Sequence, residues 1–545
     1  MTNCWRPPQT LRTELPPSLL NRTVGAVVSL SLIGMYLRWA PLSPDLAAQV
    51  ARANVVRTQG VSSWWTGWFG GMLLPNYSLL TPSSMALIGV RATAVLAAVV
   101  TVAGARTLAR DSLRPRATVI ACAATSAADV LNGRVTFAAG VAVGVLALLA
   151  IRRPALLTTM ALSVGTFAAS PLAGLFLGIA MVAIAVSDPK RRRPAIASAV
   201  ALVGTAGLMT VLFPGTGIMP FSATQAIPAA LCGIVVGALA RQPGIRVTAF
   251  LSVAAMPVFL LFPGAVGENI TRFAWVAAVP AFVASAAVSR RVLVIVVALM
   301  TLWPASDLVG QLHSGGSESS RATFYQPLIQ QLSLERAQDP QSSIGQRLEA
   351  LDTSNHWPSV YLASMSLARG WDRQADRSNN AVFYQPGALT PDSYHAWLHD
   401  LAVGWVAVPN TALDYASKAE AVIVAEHPTY LTLSWSNSDW RLYRVTDATP
   451  LAVGARVTAV HDTAIDLQTQ KPGAVTLRLR WSPYLTLLSM PTLLPADTCI
   501  TDVGGFVHIA IAHPGSYELV SHFNPGLGLG QSGAGCRTAT HSKAG

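Results

Sequence analysis

Acidic side chains are scarce in this sequence: residues 1–310 contain seven carboxylates, Glu14, Asp45, Asp111, Asp129, Asp188, Glu268 and Asp307, against 23 lysines and arginines. Charged residues make up only 12% of the 545-residue chain, which excludes an ordinary soluble protein. Cysteine is rare too, with five in all. Cys4 precedes the first apolar run, and Cys122 and Cys232 fall inside apolar segments. Cys499 and Cys536 are left as the candidate disulfide, provided the C-terminal part faces an oxidising compartment. Zinc-binding spacing, a Walker loop, a dinucleotide-binding glycine fingerprint and a GxSxG elbow are all missing, so nucleotide-driven and serine-hydrolase chemistry find no support. A cleavable signal with an A-x-A site is missing as well. The first apolar run, from about Thr23, reads as an uncleaved helix followed by further spans.

What the chain does have is hydrophobic residues, 52% of the total, and a net charge of +12. The charge is unevenly spread, since residues 311–545 hold 15 basic and 19 acidic side chains. The basic excess therefore belongs to the apolar half, where arginines in short loops orient helices, and nucleic acid is not an expected partner. Apolar runs fall at 23–39, 83–105, 117–131, 135–151, 155–169, 171–187, 195–213, 226–240, 247–264, 273–289 and 292–309, about eleven spans in a membrane domain over residues 23–310. The 155–187 stretch is divided at Ser170-Pro171, because its length exceeds one span and proline interrupts it. Arginine-rich loops ("RTLARDSLRPRA", "IRRP", "DPKRRRP", "ARQPGIR", "SRR") follow every second span. With those loops in the cytoplasm, the N-terminal segment 1–22 is inside. The first long loop, 40–82, and everything after residue 310 are outside, in a multi-pass plasma-membrane protein.

Beyond residue 310, "HSGGSESSR" reads as a Gly/Ser linker. Residues 321–449 mix helical and strand patterns as an extracytoplasmic α/β domain. Residues 450–522 alternate as a β-sandwich, and 523–545 read as a flexible tail.

By this topology Asp45, Asp129, Glu268 and Asp307 lie at the outer ends of spans, where a carboxylate serves as a general base toward a hydroxyl or as a ligand for a divalent cation. Asp45 is the lone acid of loop 40–82, in "SPDLAAQVARA", a helix start with Ser43 at the N-cap and Pro44 at the first position. The aromatic stretch "VSSWWTGWFGGMLLP" that follows has the composition of a segment lying in the membrane interface, able to roof a cavity for a lipid-linked substrate. Arg91 falls roughly 12 Å below the outer end of the second span if that helix begins near Pro82. A charge there suits a lipid phosphate or a structural ion pair. "DVLNGRVTF" and "GENITRFA" each place an acid, an asparagine and an arginine (Asp129 and Arg134; Glu268 and Arg272) in an outer turn. Outside the membrane, "SNHWPSVY" and "LARGWDRQADRSNN" supply His356, Trp357, Trp371, Asp372, Arg373 and Asp376, residue types that suit sugar recognition as well as a charged surface turn.

This order of parts resembles polytopic glycosyltransferases of the GT-C superfamily. The resemblance rests on "SPDLAAQV", "PNYSLLTP", "LNGRVTFAAG", "ASPLAGLFLG" and "GENITRFA" in the membrane half, and on "SLARGWDRQAD" and "YHAWLHDLAVGWVAVP" outside. It is nearest to actinobacterial membrane proteins related to the arabinosyl- and mannosyltransferases of mycobacterial arabinogalactan and lipoarabinomannan. It implies a polyprenyl-phosphate sugar as donor, a cell-envelope polysaccharide as acceptor and other cell-wall enzymes as partners. It also implies Asp45 as the base, with Arg91, Arg134 or Arg272 on the donor phosphate. Many such enzymes carry an adjacent acidic pair in this loop; here Asp45 stands alone, and Asp129 or Glu268 would supply a second carboxylate. The competing readings are a non-catalytic scaffold or glycan-binding subunit of the same fold, and a transporter. The large outer region and the lack of paired charges near mid-membrane weigh against the transporter.

Overall fold

The structure is a computed structural model that describes residues 33–153, 155–215, 217–496, 498–523 and 525. Residues 33–39 are helical and belong to a small unit of their own, Met1–Pro41. Residues 23–32 of the first expected span, and all but two of the expected tail, lie outside the described residues. The rest of the chain, Leu42–Gly545, forms a second compact unit.

Among the described residues, helices occupy the apolar runs of the membrane half. Four helices are long and apolar enough to cross a membrane: Val90–Asp111, Arg192–Leu212, Pro243–Leu261 and Arg290–Gly315. Val135–Ala150, Leu156–Ala169, Pro171–Ser187 and Ala223–Leu239 are shorter apolar helices. Val200, Val203, Leu261, Leu299 and Leu302 point outward from the long ones, the pattern of helices whose solvent is lipid. The Ser170-Pro171 break is real. The helix Leu156–Ala169 ends at Ser170, whose hydroxyl accepts from Ala173 N at 3.4 Å, and Pro171 opens the next helix. Helices approach closely where residues are small: a Cβ on Gly140 would sit 2.6 Å from the Ser170 side chain. The second expected span is divided, Thr81–Ile88 and Val90–Leu108, at Gly89 with φ +91°.

The expected Gly/Ser linker is a continuation of structure. The helix Arg290–Gly315 runs straight through "HSGG", and Ser319 and Ser320 are buried. Asn355 Nδ2 donates to the hydroxyls of Ser317 and Ser319, both at 2.8 Å, and Tyr325 donates to Ser319 O at 2.5 Å. Serines read as flexible because they are small and polar; here each is satisfied by a protein partner and so is rigid.

After the membrane helices a four-stranded sheet runs in the order Arg347–Ala350, Val403–Pro409, Trp440–Val445, Leu431–Ser436. Only the first pair is parallel. Val403–Pro409 is buried along its whole length, covered by the helices Ala322–Gln338, Pro391–Asp400 and Lys418–Ala425 on the surrounding chain. The last part is a sandwich of a four-stranded and a five-stranded antiparallel sheet. Val475, Leu477 and Leu479 alternate into its core, as a half-buried strand requires. Cys499 is disulfide-bonded, and Cys536, its expected partner, lies outside the described residues.

The aromatic loop departs from expectation most clearly. Within the segment expected in the membrane interface, Trp64–Trp65 pairs with Met72–Leu73 in a small hairpin, followed by the turn Leu74–Asn76. Trp64, Trp65, Trp68 and Phe69 are all at most 2% exposed, buried in protein and not in a lipid headgroup layer. Trp64 joins the sandwich core, and Trp68 Nε1 donates to Ser359 O at 2.9 Å in the α/β domain. The loop is long and aromatic because it is the wedge that the α/β domain and the β-sandwich both pack around.

Candidate functional site

Helix Pro44–Gln59 carries Asp45 in its first turn, where a carboxylate is favoured by the helix dipole. Pro44 occupies the first helical position as expected. Ser43 sits at the N-cap, but its buried hydroxyl makes no capping bond. The turn Asn132-Gly133-Arg134 meets this helix start. Gly133 has φ +77°, and a Cβ on it would lie 2.5 Å from Leu46 N, so only glycine allows the two segments to touch.

That approach brings Arg134 onto Asp45. Arg134 Nε donates to Asp45 Oδ2 at 3.1 Å, and Nη2 donates to Asp307 Oδ2 at 3.1 Å, while Nη1 is 4.0 Å from Asp129 Oδ1. Arg272 Nη2 approaches the same Asp45 oxygen at 3.7 Å. Burial alone would push the Asp45 carboxyl up, but the guanidiniums of Arg134 and Arg272 outweigh it and hold the carboxyl below its usual range. Glu268 sits one turn before Arg272 and accepts from the Gln225 side chain. Burial raises its carboxyl, and that hydrogen bond and Arg272 offset the shift only in part. Trp275, in a π turn at Ala274–Ala278, lies under Arg134 at 5.8 Å. Two expected arginines and three expected carboxylates are thus gathered at one place, with Asp307 added from the last helix. Arg91, half-buried at the start of Val90–Leu108, is not among the charges that act most on Asp45. A divalent cation fits this donor set poorly, because Asp45 already faces two fixed positive groups.

The sugar-recognition candidates are placed next to the same helix, with their polar atoms engaged. Trp371 Nε1 donates to Pro44 O at 3.1 Å and its ring stacks on His356 at 3.3 Å. His356 Nδ1 is 2.5 Å from Asp352 Oδ2, and Trp357 Nε1 donates to Leu42 O at 3.0 Å. Asp372 caps the helix Arg373–Asn379 and accepts from Arg52 Nη2 at 2.6 Å. Arg373 makes a two-pronged pair with Asp414, 2.9 Å on each arm. Asp376 is buried against Arg369 at 2.7 Å. This belt docks the α/β domain onto the start of the Asp45 helix. Trp371 and Arg373 also line a narrow cleft with Asp352, Arg369 and Asp376, roomy enough for about one water.

Sequence reasoning missed three features. Arg52 is 1% exposed and packs over Tyr77 at 4.0 Å, unforeseeable without its distant partner Asp372. Asp307 was visible as one of few outer acids, but nothing tied it to Arg134. His395 and His399, four apart on a helix, were a legible half-signal for a metal site, which the reading of no zinc spacing passed over.

Fold and site together define a helical membrane domain whose carboxylate–guanidinium cluster is capped by a sheet-rich domain. No protein-family model matches the chain, and no curated protein does. It is similar to two single-particle cryo-EM structures of the arabinofuranosyltransferase AftD from Mycobacteria, one of them a point mutant. The first has 12% identity and a TM-score of 0.43 over 94% of this chain, and the second 12% and 0.42 over 93%. The chain spans 60% and 57% of the length of those two proteins.

Proposed function

We propose that the protein is a GT-C-type glycosyltransferase that moves a sugar, arabinose or mannose, from a polyprenyl-phosphate donor to a cell-envelope glycan on the outer face of the plasma membrane. The observation that carries this reading is the ionised Asp45 held by Arg134 and Arg272 at the outer ends of membrane helices. In this reading about eleven spans cross the bilayer, with the N-terminus inside and the sheet-rich domains outside.

The acceptor hydroxyl attacks the anomeric carbon and the new C–O bond forms as the bond to phosphate oxygen breaks. Asp45 takes the hydroxyl proton, and the anomeric centre inverts. The leaving phosphate carries its charge onto a guanidinium. Arg272 is the better suited, since its 3.7 Å contact to Asp45 is loose and Arg134 is committed to three carboxylates. A phosphate that draws Arg272 away also frees Asp45 to act as base. Arg134 and Arg91 are the further donor-phosphate candidates, and Asp129 and Glu268 are the secondary carboxylates. The acceptor glycan runs past Trp371 and Arg373 at the mouth of the outer cleft.

The test is transfer from a synthetic polyprenyl-phosphate sugar by the protein in nanodiscs. Asp45→Asn lowers turnover by about 10²–10⁴-fold while the melting profile is kept. Undiminished turnover would remove Asp45 from the reaction. One observation favours a second reading, a non-catalytic scaffold or glycan-binding subunit: the same Asp45 oxygen faces both arginines, a resting ion pair that needs no substrate. Glycan binding without turnover, unchanged in Asp45→Asn, is the outcome that selects it.

A further inference from the structure

Far from Asp45 in sequence, helix Pro391–Asp400 carries His395 and His399, one turn apart and so on one face. The helix start is fixed by a reciprocal cap between Thr390 and Ser393. Facing the two rings is Asp447, two residues past the strand Trp440–Val445 and just before the first sandwich strand at Ala452. His395 Nε2 lies 3.1 and 3.0 Å from the two Asp447 oxygens, and His399 Nε2 lies 3.2 Å from Oδ1. One ligand atom from each residue falls within 4.8 Å of the others, and this is the one such group of three found among the described residues.

Two details go beyond a histidine–carboxylate hydrogen bond. His399 Nε2 is shielded from solvent and stands 3.2 Å from Asp447 Oδ1 in a contact short of a well-formed hydrogen bond. A metal ion between that nitrogen and the carboxylate would satisfy both. His395 is held flat against Tyr430, 4.2 Å between centroids and 11° between planes, so its ring is set before any ligand arrives. In a tetrahedral zinc site with metal–ligand bonds near 2.05 Å, neighbouring donor atoms stand ~3.3 Å apart. The separation from each ring nitrogen to the Asp447 carboxylate needs only a small expansion to match, and the two ring nitrogens lie within 4.8 Å of each other.

We propose that His395, His399 and Asp447 form a binding site for a divalent transition metal, Zn²⁺ by ligand type, that fastens helix Pro391–Asp400 to the segment entering the β-sandwich. Two imidazoles and one carboxylate disfavour Ca²⁺ and Mg²⁺, which take oxygen ligands, and suit zinc, with water in the fourth position. The clip closes a loop between residues 52 positions apart, where the Thr449 hydroxyl already donates to His399 O at 2.6 Å. The role is structural, since none of the three ligands is a residue of the Asp45 cluster.

The experiment uses the full chain in nanodiscs, stripped with a chelator and titrated with Zn²⁺ alone. Calorimetry is expected to read one saturable zinc per chain, unaffected by excess Ca²⁺ or Mg²⁺, together with a rise in melting temperature. The absorption edge of the unmutated protein supports the proposal if it reports two imidazole nitrogens at about 2.0–2.1 Å. His395→Ala with His399→Ala removes that equivalent, and Asp447→Asn weakens it. The proposal is overturned if the unmutated chain shows no saturable zinc, or if the double variant binds as the parent does, which would assign the metal to other histidines.

Discussion

Arg52 and Asp372, 320 positions apart, form a 2.6 Å ion pair in which the guanidinium is almost wholly buried between Tyr77 and Trp68. It links the helix that carries Asp45 to the cap of an α/β-domain helix. The position of the base candidate and the docking of the α/β domain are therefore one structural event.

Arg52→Ala leaves Asp372 facing an emptied interior, and breaking such a pair from one side costs about 3–5 kcal/mol. A clear fall in thermal midpoint is expected. Arg52→Lys restores little, because an ammonium neither stacks flat on Tyr77 nor reaches Asp372 with the same fork. A midpoint unchanged in Arg52→Ala would mean that the aromatic wedge alone docks the domain.

Gly133→Ala puts a methyl group 2.5 Å from Leu46 N at a residue with φ +77°. The left-handed conformation alone costs about 1–2 kcal/mol, and the overlap must be relieved by moving the turn. Arg134 moves with it, so loss of transfer greater than the loss of stability is expected, read from turnover per folded molecule.

The two arginines at Asp45 should separate kinetically. Arg272→Ala raises KM for the polyprenyl-phosphate donor and leaves the fold intact, because the contact it breaks is a 3.7 Å one. Arg134→Ala strips the pairing from Asp45, Asp129 and Asp307 together and lowers the thermal midpoint as well. Donor titrations beside melting curves distinguish these outcomes.

Stability of the α/β domain should fall with rising pH. Glu420 is buried with Glu349 and Asp376 around the single Arg369, and burial pushes its carboxyl up to about 7, from which Arg369 only partly draws it back. The folded state thus binds this proton more tightly than the unfolded chain does. The resulting stabilisation is complete below the ordinary value of 4.5 and is lost as pH rises through about 7. Burial raises Glu349 as well, which adds to the same trend. Glu420→Gln keeps a hydrogen-bond partner for the Tyr394 hydroxyl and should flatten the midpoint between pH 5 and pH 8; a slope equal to the parent's would place the titration elsewhere.

Legible from the sequence were the helices of the membrane half among the described residues, the Ser170-Pro171 break and the all-strand region after residue 450. Apolar periodicity, proline and turn residues act over a few positions, so their signals survive in a linear reading. It also marked Asp45, Arg134, Arg272, Asp129 and Glu268 as residues of one level, because the scarcity of acids left few others to choose. Tertiary structure decided the rest. Tryptophan in "SSWWTGWFGG" is as much at home in a membrane interface as in a core, and only the arrival of Ser359 and the sandwich beside it put it in a core. The serines after residue 313 became rigid for the same reason, through Asn355. His395 and His399 gained a third ligand only when Asp447 was folded against them. In each case the deciding partner lies tens to hundreds of residues away, and whether a polar or aromatic side chain is exposed, buried or paired depends on that partner and not on its neighbours in the chain.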